Sequence, residues 1–147
     1  MNGNKKGDKV NIMKKIYGAS FIYLILGLIF GVFYREFTVL QGYEGRTQLS
    51  VLHTHALVLG TLFFLIVMLI DHVSDLSRKK SFMYWMATYN VGLLGILVTM
   101  LIRGMGQVLT WELSGLNHVA GLFHVIIDIA FVWFFIMLGK SAFVKKT

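Results

Sequence analysis

Four long apolar runs divide the chain: Ile16 to Tyr34, Leu49 to Ile70, Phe82 to Ile102 and Leu116 to Leu138, with Asp128 the one charged residue inside any of them. Each supplies the ~20 residues a helix needs to cross ~30 Å of hydrocarbon. The polar connections of 14, 11 and 13 residues are short enough to make successive helices antiparallel neighbours. The pattern predicts an all-α integral membrane protein, a four-helix up-down-up-down bundle with helices at about 16–34, 49–70, 82–102 and 116–138. Residues 1–13, "MNGNKKGDKVNIM", are polar and charged and carry too little apolar surface to order themselves in water. They are expected to form a cytoplasmic tail, leaving 14–147 as the transmembrane domain.

Composition agrees with the pattern: 56% of the 147 residues are hydrophobic and none is proline, unlike an ordinary soluble domain. The first run follows a basic start, as a signal peptide would, but it is too long for a signal core and no small-residue cleavage pattern follows. It is read as a retained helix. Cysteine is absent, so disulfides, thiolate metal sites, iron–sulfur clusters and covalently attached haem have no ligands here.

The net charge of +7 changes meaning once it is placed along the chain. Eleven basic residues precede helix one, join helices two and three, or follow helix four, whereas only Arg35, Arg46 and Arg103 fall on the other side. This positive-inside distribution points to a multi-pass protein of the bacterial cell membrane with both termini cytoplasmic, its loops at 41–46 and 105–115 external. The basic surplus thus reports topology, and the expected partner is the lipid bilayer, with a homo-oligomer or a membrane redox partner beside it and no nucleic acid.

Polar residues inside the runs are the candidate chemistry. Four of the five histidines, His53, His55, His118 and His124, gather at one level of helices two and four. Histidine 72, at the other end of helix two, reads as an ordinary interfacial residue. In an up-down bundle helices two and four run parallel at diagonal corners; with neighbouring axes ~8–10 Å apart, a flat macrocycle fits between them with one imidazole on each side. Helical spacing puts Asn117, Ala120, Gly121, His124 and Asp128 on one stripe, read as a packed interior face because small and polar residues suit helix contacts better than lipid. His118 points elsewhere. On helix two, His53, Ala56 and Gly60 form a comparable stripe and His55 projects away from it, so the stripe favours His53 with His124 while depth in the membrane favours His55 with His124. The stripe is given more weight.

Asp128 near mid-membrane costs ~2.5–3.5 kcal/mol unless paired, hydrated or protonated. Asn90, Thr88, Tyr23 and His124 are its candidate partners, and its role is a hydrogen-bonded acid, a proton relay or an anchor for His124. Arg103, with Arg35 and Arg46 nearby in topology, suits anionic groups such as haem propionates, or surface pairing with Glu36, Glu44 and Glu112. Gly27 and Gly31 form a small-xxx-small contact. Met100 and Met105 are alternative axial ligands near the histidine level.

The stretch "LHTHALVLG", Leu52 to Gly60, resembles the second helix of the catalytic subunit of haem–copper oxidases and nitric oxide reductases, where a His-Thr start supplies an axial ligand to the low-spin haem. His53 and Thr54 match that start. The chain is also similar to small bacterial four-helix membrane proteins that look like a fragment of that core. The resemblance implies b-type haem ligated from helices two and four; oxygen reduction is not implied, because the rest of the oxidase core and its further histidines are missing. From the residues alone three functions stay open: a haem protein for electron transfer or redox or gas sensing, a zinc or copper binding or transport protein, and a structural accessory subunit of a membrane complex.

Overall fold

The computed structural model describes residues 2–111 and 113–142. Four helices are long and apolar enough to cross a membrane. The first is α1 (Asn2–Leu40). The second span, Leu49–Ser74, consists of α2 (Leu49–His55), a π-helical segment (Ala56–Leu62) and α3 (Phe63–Ser74). A short 3₁₀ turn (Leu76–Arg78) leads to α4 (Ser81–Leu109), and α5 (Leu116–Ala142) is the fourth. Every helix outruns its apolar segment, because the apolar run marks only the part suited to hydrocarbon while the hydrogen-bonded helix propagates into polar flanks at little cost.

The same reason corrects the expectation for the N-terminus: residues 2–13 are helical and continuous with the first span. Two contacts hold that extension down. Ile12, Met13 and Ile16 pack onto the core, and Lys9 forms an ion pair with Asp75 in the turn between the second and third spans. That turn is built by two aspartates. Asp71 is fully buried and accepts from the Ser77 amide at 2.5 Å and the Ser77 hydroxyl at 2.9 Å. Asp75, in the left-handed region at φ 50°, ends α3 by donating its amide to the Asp71 carbonyl.

The helix at the centre is α4, whose Trp85, Tyr89, Leu93, Ile96 and Leu97 are buried. Around Phe63 the rings interlock: Phe63 lies 4.7 Å from Tyr89, 5.1 Å from Phe131 and 5.5 Å from Phe134, centroid to centroid, and the Trp85 indole donates to the Ala130 carbonyl at 2.9 Å. Glycine lets α5 approach α4 closely. A Cβ at Gly95 would stand 2.1 Å from the Phe123 ring, and one at Gly92 would meet the Ile127 backbone at 3.0 Å. The contact expected of Gly27 and Gly31 is formed with the second span: Leu57 lies over Gly27, and His53 lies beside Gly31.

The π segment sits at mid-span, where the widened turn gives the Phe63 amide to the Val58 carbonyl. Carbonyls there are used by neighbouring helices: Tyr89 donates to Leu59 O at 2.8 Å and Ser20 to Thr61 O at 3.0 Å. Such a segment takes in about one more residue than an α-helix of the same length, so it rotates α2 relative to α3. That rotation decides which histidine faces where.

Candidate functional site

The second span turns different sides to its two neighbours. His53, Leu57, Gly60 and Phe64 face α1: a Cβ at Gly31 would lie 3.8 Å from the His53 Cβ, a Cβ at Gly60 would strike the Tyr23 ring, and Phe64 stacks on Tyr23 at 5.9 Å. Leu49 meets α4 at Gly104. Phe63 faces the remaining direction, past α4 toward Phe131 of α5. His55 precedes Phe63 by eight residues, and the extra residue of the π segment makes this equivalent to about two α-helical turns. His55 is therefore on the Phe63 side of the span, turned away from α1.

On α5, His124 precedes Phe131 by seven residues, again two turns. It shares the flank of Phe131. Contact between the second span and α5 is carried by α3, where Phe63 and Phe131 touch; toward the other end His55 is half-buried and His124 exposed. His55 and His124 thus each lie about two turns before the Phe63–Phe131 contact on their own helices. Each is oriented by its own helix. The His55 Nδ1–H donates to the Val51 carbonyl at 2.9 Å and the His124 Nδ1–H to the Ala120 carbonyl at 2.8 Å. A carbonyl can only accept, so Nδ1 is the donor in both rings, which leaves Nε2 as the nitrogen open to a ligand.

His53 is in a different situation. Its Nδ1 is buried with no hydrogen-bond partner among the described residues, and the ring packs beside α1 rather than toward α5. The His53 stripe is the contact with α1. His118 is exposed and sits on the side of α5 opposite its α4 contact, as its spacing required.

The stripe of α5 also needs correction. Asn117, Gly121, His124 and Asp128 are exposed and Ala120 only partly buried, whereas Ile127, Ala130, Phe134 and Met137 are the residues buried against α4. The expected interior face is not the packed one, because α5 has one main helical neighbour and turns an apolar face to it. The partners foreseen for Asp128 are engaged elsewhere. Tyr23 donates to Asn90 Oδ1 at 2.8 Å, Asn90 Nδ2 to the Met86 carbonyl and Thr88 to the Tyr84 carbonyl.

At the N-terminal end of the same α5 flank, two turns from His124, a pocket of about 480 Å³ is lined by Arg103, Gln107, Thr110, Trp111, Leu116 and Asn117. Arg103 is exposed. Among the described residues neither Arg103, Arg35 nor Arg46 is in an ion pair with Glu36 or Glu44; Glu112 lies outside the described residues. Met100 is buried and Met105 half-buried. Asp71, which sequence reasoning passed over, is structural; its signal was an aspartate followed by serines at the polar end of an apolar run.

The profile of a family described as a protein of unknown function, DUF2871, matches residues 13–141. The chain belongs to the DUF2871 family. No curated protein and no solved structure matches it.

Proposed function

We propose that this DUF2871 protein holds a b-type haem in the cleft between the second span and α5, with His55 and His124 as axial ligands and the Arg103 pocket receiving the propionates. The observation that carries the reading is the matched pair of imidazoles, each with Nδ1–H tethered to a backbone carbonyl and Nε2 left to bind. That tether holds the ring orientation and raises the basicity of the ligating nitrogen. Haem brings four nitrogen donors of its own and asks two of the protein. A bare zinc or copper ion asks for three or four, and among the described residues no three His, Asp or Glu side chains come together.

When bound, haem supplies one-electron redox chemistry, and ligation on both faces favours electron transfer over gas binding. The chain's own residues do the rest. Phe63, Phe131 and Tyr89 close the inner end of the cleft with rings and limit water there. Arg103, Gln107 and Asn117 offer donors to carboxylates at the outer end, and Asp128 lies one turn below His124 on the same helix. In this reading both termini are cytoplasmic and the histidines lie in the outer half of a bacterial membrane.

An absorption spectrum of the purified, reduced protein tests the proposal. A Soret band with sharp α and β bands is expected, lost or turned high-spin in His55→Ala and in His124→Ala and kept in His53→Ala and His118→Ala. A colourless protein carrying stoichiometric zinc or copper would replace this reading with the metal-ion one, and a spectrum indifferent to both His55 and His124 would overturn the ligand assignment.

A further inference from the structure

At the opposite end of the bundle from His55 and His124, the start of α1 and the turn before α4 enclose a pocket of about 700 Å³ that the haem reading does not use. Five basic side chains line it, Lys9, Lys15, Arg78, Lys79 and Lys80, against a single acid, Asp8. The neighbouring acid, Asp75, is already engaged by Lys9 and, at 3.6 Å, by Arg78. Lys79 is held in place by donating to the Met137 carbonyl at 2.8 Å. Lys15 and Lys80 are exposed, the first on α1 and the second in the turn before α4. A cavity with this surplus of ammonium and guanidinium donors is built for an anion with several oxygens.

Its level in the bundle selects the kind of anion. The uncharged run of the first span starts at Ile16, directly after Lys15, and that of the third at Ser81, directly after Lys80. Ile12 and Met83 also line the pocket. Charge beside an apolar lining, at the border of the uncharged runs, fits a phosphate that is attached to acyl chains.

We propose that this pocket binds the phosphate of an anionic phospholipid headgroup of the phosphatidylglycerol type, joining α1 to the α3–α4 turn through the lipid. Basic pockets between transmembrane helices near the headgroup level take such lipids, and the attraction is sensitive to salt. The site stands independently of the haem cleft.

Lipid retention by the full-length protein in detergent, read by native mass spectrometry, tests it with phosphatidylglycerol, phosphatidylcholine and inorganic phosphate as probes. Phosphatidylglycerol is expected to be retained in preference to phosphatidylcholine, and retention in the double variant Lys15→Gln, Lys80→Gln is expected to be roughly 20–30-fold weaker. Lys140→Gln, an exposed lysine at the same end but outside the pocket, is expected to leave retention unchanged. Added salt should weaken phosphatidylglycerol retention by the unaltered chain, which gives a reading that does not depend on any variant folding. The proposal falls if phosphatidylcholine is held as well as phosphatidylglycerol, if the double variant binds like the unaltered chain, if Lys140→Gln weakens retention as much, or if inorganic phosphate displaces the lipid, which would assign the pocket to a free anion.

Discussion

The two ends of the contact between the second span and α5 could hardly differ more. Around Phe63 the helices meet ring on ring, with Trp85, Tyr89, Phe131 and Phe134 closing every gap. Two turns away the same pair of helices carries His55 and His124, partly or fully exposed, and between those side chains no comparable packing exists among the described residues. Helix association in a membrane draws on van der Waals packing and hydrogen bonds rather than on expulsion of water. The Phe63 end therefore has what holds helices together, and the histidine end leaves polar side chains outside that packing. On the proposed reading the difference is a division of labour: stability concentrated at one level, chemistry at another.

The largest test of that division is Trp85→Ala, which removes the indole's bond to Ala130 and its contacts with Phe63, Tyr89 and Phe134. A loss of about 3–5 kcal/mol is expected, measured by denaturant titration in mixed micelles. A loss below about 1 kcal/mol would mean that the aromatic cluster does not carry the fold.

Next comes Asp71→Ala, which strands the Ser77 amide and hydroxyl in a buried turn. About 1–3 kcal/mol is expected, together with faster proteolysis at the turn between the second and third spans. Asp71→Asn, which keeps an acceptor, should recover part of it.

The smallest effect belongs to the histidine end. Without haem, His55→Ala and His124→Ala should leave unfolding within about 0.5 kcal/mol of the parent chain, because neither ring is packed in the core. A large loss from either would show that the open end is structural after all, and would blur the contrast between the two levels. Gly31→Ala belongs in the same class, since the new methyl would meet His53 only at ordinary contact distance, 3.8 Å.

Much of this was written in the sequence in a direct way. Runs of uncharged apolar residues have one stable solution in hydrocarbon, a helix whose backbone groups bond internally, so four runs became four membrane-length helices. The separation of His118 from the flank of Asn117, His124 and Asp128 was also legible, because it follows from helical spacing alone. The polar start at residues 2–13 was misread for a physical reason: composition says whether a segment can order itself, whereas this one is ordered by continuing a helix already formed and by the pair of Lys9 with Asp75.

The choice between His53 and His55 shows where sequence stops. An ideal helix puts His53 in line with Ala56 and Gly60, and that alignment is real, yet α1 rather than α5 occupies the side it faces. Nothing local announces the π segment at Ala56–Leu62; Tyr89, Ser20 and Tyr23 meet the second span at those positions, and all three lie far away in the chain. By itself the sequence determined the number of helices, their fitness for the membrane and the residues with chemistry to offer, since each depends on composition and local periodicity. The tertiary structure decided which side of each helix is covered and by what, because neighbours are chosen by packing over the whole bundle and a single extra residue in one turn redirects every side chain beyond it.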